Sequence, residues 1–214
     1  MLIYSVGELS TIVSAYKAME KAYNEGKVRA LGISNFDNRM EVYNEIMKEE
    51  IKPQIMQIEC HPYAQRNKTR ELAKTYDIQV ECWYPLNHQN AGILSDTTLS
   101  SIASTHNKSV AQVILRWHIQ EGLSPIPGST NASHIAENIN IFDFELNETE
   151  MNLIKGLDKG EAGRSFNISY GLTWPTNLSD YTYVPKDIDN NSSDVINFSL
   201  RKLLIIIFVS ALLI

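Results

Sequence analysis

Residues 124–138 combine the features of a phosphate-binding turn with a lack of positive charge. The segment reads SPIPGSTNASHIAEN, in which a short apolar run leads into a Gly-Ser-Thr-Asn turn and then a helix-forming stretch. Free backbone N–H groups and the dipole at a helix N-terminus attract an anion. No Lys or Arg lies in the segment, so a phosphate would be bound there without a cation. Ser129 or Asn131 could instead only cap the following helix, with Glu137 an ordinary solvated residue.

A near-repeat indicates which elements position the residues of interest. QIECHPY at residues 57–63 and QVECWYP at residues 79–85 each form a β-branched run that ends in polar or aromatic residues. The stretch between them predicts a helix with Leu72, Ala73 and Tyr76 on one face. A strand, a helix and a second strand in this order predict two parallel strands joined by a crossover.

The same alternation continues in both directions along the chain. Its four strand-then-helix units begin near Val28, Ile55, Ile78 and Ser124, and Gly26 lies where a glycine commonly ends a helix. The predicted strands are 27–34, 55–60, 79–85 and 124–127, and the other predicted helices are 14–24, 39–48, 97–105, 110–120, 132–140 and 148–157.

Alternating strands and helices leave two α/β architectures, an open doubly wound sheet or a (β/α)8 TIM barrel. No G-x-G-x-x-G motif follows a predicted strand, which argues against a dinucleotide-binding doubly wound sheet. Functional residues of a barrel gather at the carboxyl ends of its strands. Polar and aromatic residues are concentrated at those ends, in 34–35, 57–61, 83–84 and 128–131.

Charge and cysteine content limit the class of protein. The chain has 214 residues with 19 Lys and Arg against 25 Asp and Glu, so its formal net charge is −6 and no nucleic-acid partner is expected. Cys60 and Cys82 both lie in apolar runs, where a thiol is usually a small buried hydrophobe. Residues 1–11 lack the basic region of a secretory signal. A reducing, cytoplasmic location is therefore expected.

The C-terminal residues 203–214 form the uncharged run LLIIIFVSALLI. As a helix this run would be about 18 Å long, which is shorter than the roughly 30 Å hydrocarbon core of a membrane. It is interpreted either as a tail without a specific role or as a segment that binds a membrane surface or a partner. The stretch before it, 164–200, is expected to be an irregular polar tail.

Four motifs in this order resemble the aldo/keto reductase family. They are AYKAMEKAYNEGKVRALGISNF, QIECHPY, ECWYPL and IPGSTNASHIAEN, and the resemblance extends from about Ala15 to Gly160. Members of that family are (β/α)8 barrels that reduce aldehydes and ketones with a nicotinamide cofactor, usually NADPH. The resemblance therefore implies a TIM-barrel oxidoreductase with small carbonyl substrates.

The resemblance also implies which residues contact the cofactor. Ser34, Asn35 and Gln57 match positions that hydrogen-bond the nicotinamide carboxamide, for which a hydroxyl and two amides offer donors and acceptors. Trp83 matches the aromatic residue that stacks on the nicotinamide ring, although an aromatic residue ending an apolar strand is otherwise more often in a core. The implied cofactor-binding set is Ser34, Asn35, Gln57, Trp83, Leu86, Ser129, Thr130, Asn131, His134, Glu137 and Asn138.

Segment 124–138 then corresponds to the adenosine end of the cofactor, with Glu137 and Asn138 at the adenine. The family commonly has Lys where this chain has Gly128 and Arg where it has His134, and those cations bind the 2′-phosphate of NADP. A neutral residue at each position weakens the preference for NADP(H) and makes NAD(H) plausible. Backbone N–H groups could still hold a phosphate.

The family's catalytic set of Asp, Tyr, Lys and His lies on its first four strands, ahead of the segment that matches Ala15. Residues 1–14 are too few for four strands, so no catalytic residue is assigned and the chain alone is expected to be inactive. The resemblance implies a structural role for His61, in the turn that follows its strand. The other residues that a motif search would suggest are Tyr63, Tyr84 and His88.

The expected organisation is a half barrel of the last four βα units in residues 1–163, followed by the tail 164–200 and the apolar segment 201–214. An open half barrel has two bare strand edges, across which a second copy or a partner chain could pair. The alternatives to a reductase are a non-catalytic nucleotide-binding or interaction half barrel and a degenerate gene fragment without function.

Overall fold

Five parallel strands form one sheet in the computed structural model, which describes residues 1–5, 7–87 and 91–165. The strands are hydrogen-bonded in chain order, so each one pairs with the next along the sequence. They are β1 (Leu2–Tyr4), β2 (Gly32–Ser34), β3 (Ile55–Glu59), β4 (Gln79–Trp83) and β5 (Ser124–Pro125). This architecture is an α/β fold with a parallel sheet, as the alternating pattern predicts.

Helices connect each strand to the next, as the crossovers of parallel pairing require, and the last two helices follow β5. They are α1 (Leu9–Asn24), α2 (Met40–Ile46), α3 (Asn67–Thr75), α4 (Ala91–Leu94), α5 (Thr97–His106), α6 (Val110–Gln120), α7 (Ala132–Ile139) and α8 (Glu148–Lys155), with short 3-10 helices at Phe36–Asn38 and Gly160–Gly163. Polar side chains mark several of the starts. Asp96 accepts from the backbone of Thr98 and Leu99, while Ser109 begins α6 in a capping box with Gln112.

The count of four strand-then-helix units was wrong, because β1 adds a fifth strand. β1 has only three residues, too few for an alternating pattern to be recognised. It is recognisable by its backbone hydrogen bonds, since Gly32 donates to the carbonyl of Met1 at 2.8 Å and Ser5 donates to that of Ser34 at 3.2 Å. The predicted strand 27–34 also shortens to Gly32–Ser34.

The two faces of the sheet differ in their surroundings. Alternate residues of a strand point to opposite faces, and the register aligns residues of one face across all pairs. One face is covered by helices and is buried; its members are Ile33, Met56, Ile58, Val80 and Cys82. The other face, here called the site face, includes Leu2, Tyr4, Ser34, Gln57, Glu81 and Trp83. The core therefore lies between the sheet and the helices.

β1 and β5 are the outer strands of the described sheet, and β1 has apolar side chains in contact with solvent. β1 and β5 each have one neighbour among the described residues. On β1, Leu2 is 42% exposed and Tyr4 is 43% exposed on the site face. An edge of this kind offers unpaired backbone groups and apolar surface to another strand.

A closing segment, residues 156–165, runs from the end of α8 across the carboxyl end of β3. Lys159 donates its backbone N–H to the carbonyl of Tyr63 at 2.9 Å, and Asp158 accepts from the backbone of Gln65 at 3.1 Å. The side chain of Gln65 donates to the carbonyl of Ile154 at 2.8 Å. The C-terminal part of the described chain is thus fixed at the carboxyl end of the sheet.

Replacing Gly163 with alanine is expected to loosen the closing segment. A Cβ at Gly163 would overlap the backbone carbonyl of Tyr63, so one of the two backbones must move. A cost of about 1 kcal/mol corresponds to a fall in Tm of about 2–4 °C in a chain of this size. Thermal unfolding of Gly163→Ala tests this, with Gly128→Ala as the control because a Cβ at Gly128 meets no atom within 4 Å. Equal Tm values for both variants would contradict the expected overlap.

Among the described residues, none of the helices has the length and apolar character needed to cross a membrane. The apolar run 203–214 and nearly all of the tail predicted from residue 164 onwards lie outside the described residues.

Candidate functional site

The carboxyl ends of β2 and β4 meet at a hydrogen bond between Asn35 and Trp83. The indole Nε1 of Trp83 donates to Oδ1 of Asn35 at 2.9 Å, across 48 residues of sequence. Asn35 adopts the left-handed conformation with φ of 58°, and its backbone N–H donates to the carbonyl of Gln57 at 2.9 Å. Asn tolerates this conformation better than most residues, which explains an Asn at the turn after β2. Three of the expected cofactor residues are therefore adjacent.

Gln57 is held in place by Glu81, a residue that the sequence did not indicate. Nε2 of Gln57 donates to Oε2 of Glu81 at 2.5 Å, and the two side chains face each other because their residues are directly paired. Ser34 is paired with Gln57 on the other side and is 7% exposed. With its nitrogen directed to Glu81, Gln57 has its carbonyl oxygen to offer to a ligand N–H. Two facts would have been needed to find Glu81 from the sequence. One is which face of β4 its side chain points to, and the other is the register in which β4 pairs with β3.

Trp83 is half-buried at the end of the site face, beside a tight turn. Its ring is perpendicular to that of Tyr84, with centroids 4.8 Å apart. Tyr84 and Asn87 both have positive φ, and the Asn87 N–H donates to the carbonyl of Tyr84 at 2.8 Å. Leu86 lies within this turn and is half-buried. The turn thus holds two of the expected cofactor residues close to each other in the chain.

The turn 128–131 leads into α7 next to the end of β4. The backbone of Ile126 donates to the carbonyl of Cys82 at 3.0 Å, one residue before Trp83. Asn131 caps α7 by accepting from the backbone N–H of Ser133 at 2.9 Å, while Ser129 Oγ accepts from the backbone of Asn131 at 3.1 Å. The capping role considered from the sequence is therefore present. Because the cap satisfies the Ser133 N–H, the helix start offers a ligand fewer free donors than the sequence suggested.

The expected adenosine-end residues lie on the surface. Thr130, Asn131, His134 and Glu137 are exposed, while Ser129 and Asn138 are half-buried. No side chain of α7 is buried. A Cβ at Gly128 would meet no atom within 4 Å, so packing does not require a glycine there. Both positions at which the family commonly has a cation have room for a longer side chain.

Two of the residues that a motif search would suggest are occupied in structural contacts. His61 is fully buried with Nε2 3.3 Å from Oε1 of Glu59, and its backbone forms a bridge with Ala64. Tyr63 donates its hydroxyl to Oδ2 of Asp96 at 2.8 Å, and burial together with Asp96 raises the pKa of Tyr63 to about 12. A phenol with a raised pKa is a poor proton donor at neutral pH. His88 lies outside the described residues.

A buried ionic network that the sequence did not indicate joins the closing segment to the strand ends. Arg66 contacts both Asp37 and Glu161, and Glu59 lies 3.6 Å from Nε of Arg164. Glu59 also accepts from the backbone N–H of Ser165 at 2.5 Å. The network places charged groups under the segment that covers the end of β3, and each buried charge has an opposite partner.

Acid is expected to unfold this region through Glu59. Burial by itself raises the pKa of Glu59, but hydrogen bonds from His61 and Ser165 and the positive charge of Arg164 outweigh it and lower the pKa. A carboxylate whose pKa is lower in the folded state stabilises the fold at pH values above its unfolded pKa of about 4.3. This stabilisation is lost as the pH falls through the folded pKa. Unfolding monitored between pH 6 and pH 3 should therefore show falling stability, with a smaller slope in Glu59→Gln. An identical slope in both proteins would exclude Glu59 as a source.

Comparison with known proteins gives one consistent result. The model of the aldo/keto reductase family matches residues 4–159, in the N-terminal part of this chain. The chain is 45% identical over 149 residues to the 9,11-endoperoxide prostaglandin H2 reductase of Trypanosoma cruzi (strain CL Brener), covering 69% of this chain and 52% of that protein. It is 44% identical over 147 residues to the glyoxal reductase of Bacillus subtilis (strain 168), covering 68% and 52%.

Solved structures show the same similarity. An aldo/keto reductase from Brucella melitensis is 40% identical with a TM-score of 0.69, covering 73% of this chain and 60% of that one. A Gox0644 variant in complex with NADPH is 33% identical with a TM-score of 0.73, covering 81% of this chain and 63% of that one. The chain spans about half the length of the curated relatives it matches.

Proposed function

Because this chain belongs to the aldo/keto reductase family, we propose that it forms the cofactor-binding part of an oxidoreductase that reduces aldehydes or ketones. The hydride would come from a nicotinamide cofactor, which supplies that chemistry when bound. Relatives named as a glyoxal reductase and a prostaglandin H2 reductase support a carbonyl or oxygenated substrate class. The observation that carries the proposal is the contact between Asn35 and Trp83.

The nicotinamide end of the proposed site consists of Ser34, Asn35, Gln57 and Trp83. The hydrogen bond to Asn35 orients the indole of Trp83, which in this proposal stacks on the nicotinamide ring. Oε1 of Gln57 can accept from a carboxamide N–H, and the hydroxyl of Ser34 can donate or accept. Orienting the side chains before binding lowers the entropy cost of holding the ring. In this proposal Leu86 contributes apolar contact beside Trp83.

The adenosine end of the proposed site is the turn 128–131 with His134, Glu137 and Asn138. NADP(H) is the proposed cofactor, which is supported by the NADPH complex of a structural relative. NAD(H) is proposed as tolerated, because Gly128 and His134 provide no fixed positive charge for a 2′-phosphate. His134 is exposed, so its imidazole can reach a phosphate group of a bound cofactor.

We assign no catalytic residue to residues 1–163, and we propose that the chain alone does not turn over substrate. In this proposal it corresponds to the C-terminal half of a family barrel, and the catalytic groups come from a complementary segment or partner chain that pairs with the edges of β1 and β5. The exposed Leu2 and Tyr4 support such pairing, because it would cover them. The proposed location is the cytoplasm.

The proposal is tested by titrating the purified full chain with NADPH and with NADH and following cofactor fluorescence. We expect saturable binding of both cofactors and no consumption of NADPH in the presence of glyoxal. Absence of binding at millimolar cofactor would contradict the proposed site. Turnover above background by the chain alone would contradict the statement that it lacks catalytic residues, while leaving the cofactor site intact.

A further inference from the structure

A buried group of two thiols and one imidazole lies on the helix-covered face, opposite the proposed cofactor site. It consists of Cys60, Cys82 and His118, all with no exposed surface. One donor atom from each residue lies within 4.8 Å of the other two. Within residues 1–5, 7–87 and 91–165, no other trio of His, Cys, Asp or Glu brings its donor atoms this close. None of the three residues has a role in the proposed reductase function.

Three separate elements bring these residues together. Cys82 is in β4 and is paired with Ile58 of β3. Cys60 follows Ile58 by two residues, just after the end of β3. The backbone N–H of Cys60 donates to the carbonyl of Trp83 at 3.4 Å, which keeps the two strands together beyond β3. His118 reaches the strands from α6. A ligand bound by all three side chains would therefore tie two strands to the helix that covers them.

The hydrogen-bond geometry of His118 leaves one of its nitrogens mismatched. Nδ1 lies 2.8 Å from the carbonyl oxygen of Ile114, and Nε2 lies 3.0 Å from the carbonyl oxygen of Cys60. A neutral imidazole has one N–H, so it can donate to only one of two carbonyl oxygens. The lone pair of the other nitrogen then faces an acceptor. In a fully buried ring this mismatch is relieved by a cation at that lone pair, which is either a proton or a metal ion.

The contact between Nδ1 and Ile114 also fits a metal ligand. Histidines that bind a metal through one nitrogen usually donate the other N–H to a carboxylate or a backbone carbonyl. Donation from Nδ1 to Ile114 leaves Nε2 with its lone pair on the side of Cys60. Two thiols and one imidazole are the ligands that select zinc and other soft metal ions.

We propose that Cys60, Cys82 and His118 bind one Zn²⁺ ion that links the residue after β3 to β4 and α6. Binding releases one proton from each thiol, so that Zn²⁺ and two thiols give a Zn–S bond to each thiolate and two protons to solvent. The two thiolates balance the charge of the ion, which avoids a net charge in the core. Backbone oxygens border the donors, since the carbonyl of Gln65 lies 3.6 Å from Sγ of Cys60. The inference does not depend on the reductase proposal.

A disulfide is the competing use of the two thiols. It requires the Cα atoms of Cys60 and Cys82 to approach within about 7 Å, whereas their positions in the two strands are offset by two residues. A metal bridges sulfur atoms that remain apart, with bonds of about 2.3 Å to each. The offset therefore favours a shared ion over a direct sulfur–sulfur bond.

The test is to refold the full chain under reducing conditions with and without Zn²⁺, and to measure bound zinc and Tm after removal of free ion. One zinc per chain, a higher Tm than the zinc-free protein and release of two protons are expected. Co²⁺ in place of Zn²⁺ should give the charge-transfer absorption of a cobalt–thiolate bond. In Cys82→Ala the affinity for zinc should fall by at least about 100-fold, more than loss of an outer hydrogen bond causes.

His106→Asn is the matched control, because His106 pairs with Glu150 away from the cluster and should retain full zinc binding. Zinc retained at full affinity by Cys82→Ala would overturn the proposal. A wild-type chain that binds no zinc would also overturn the proposal. This holds whether its thiols remain free or have formed a disulfide, which lowers the mass by two hydrogens. Loss of cofactor binding without loss of zinc would affect only the reductase proposal.

Discussion

Replacing Trp83 with alanine is expected to weaken nicotinamide cofactor binding by about 10- to 100-fold. The indole is the aromatic surface of the proposed nicotinamide pocket, and removing such a stacking surface costs about 1–3 kcal/mol. The substitution also leaves Oδ1 of Asn35 without the donor that orients it. Asn35 is only 3% exposed, so the loss of its partner disturbs the pocket as well as the ring. Cofactor fluorescence titrations of both proteins measure the change.

Trp83→Phe separates the two contributions of the indole. Phenylalanine keeps an aromatic ring but removes the N–H that donates to Asn35, so its affinity should lie between those of wild type and Trp83→Ala. Circular dichroism of each variant checks that the fold is retained. A Trp83→Ala protein that is folded and binds NADPH as tightly as wild type would exclude Trp83 from the pocket.

Introducing Lys at Gly128 and Arg at His134 is expected to raise NADPH affinity by about tenfold each, with little change for NADH. A charge-assisted hydrogen bond contributes about 1.5–3 kcal/mol, and only NADPH carries the 2′-phosphate that would receive it. Both side chains have room, because a Cβ at 128 meets no atom within 4 Å and residue 134 is exposed. The gain should shrink as salt is added, because the site is open to solvent.

The measured quantity is the ratio of the Kd values for NADH and NADPH. Gly128→Ala and His134→Gln are matched controls that change the side chains without adding a fixed charge, and they should leave the ratio as in wild type. An unchanged ratio in the Lys and Arg variants, with NADH binding intact, would mean that no phosphate lies near residues 128 and 134.

The helices and most strands follow from local patterns in the sequence. α6 begins and ends at the residues that the sequence predicts, Val110 and Gln120, and the structure adds the capping box of Ser109 and Gln112 at its start. The near-repeat at residues 57–63 and 79–85 correctly predicts β3 and β4 as parallel neighbours. Local patterns succeed here because helix periodicity, caps and β-branched runs act over a few residues.

β1 and α4 were missed for the same physical reason. Each has only three or four residues, so neither completes a period that a pattern could reveal. β1 is identified by pairing with β2, whose residues lie about 30 positions later in the chain. Its presence changes the count of strands from four to five and moves the open edge of the described sheet to Leu2 and Tyr4.

The candidate site shows a similar division. The types of Ser34, Asn35, Gln57 and Trp83 and their positions at strand ends are visible in the sequence, and the resemblance to a family suggests their roles. Their use as cofactor contacts remains a prediction. The partner of Gln57 was not foreseen, because Glu81 reaches it only through the register of two strands.

The sequence by itself determined the alternation of strands and helices, the strand-end position of the polar residues and the absence of a cation from residues 124–138. Only the tertiary structure decided that the indole of Trp83 donates to Asn35, that Asn131 caps α7, and that Cys60 and Cys82 meet His118. The physical reason is that residue types and local periods are properties of short segments. Side-chain partners instead depend on which strands pair, in which register, and which helix covers them.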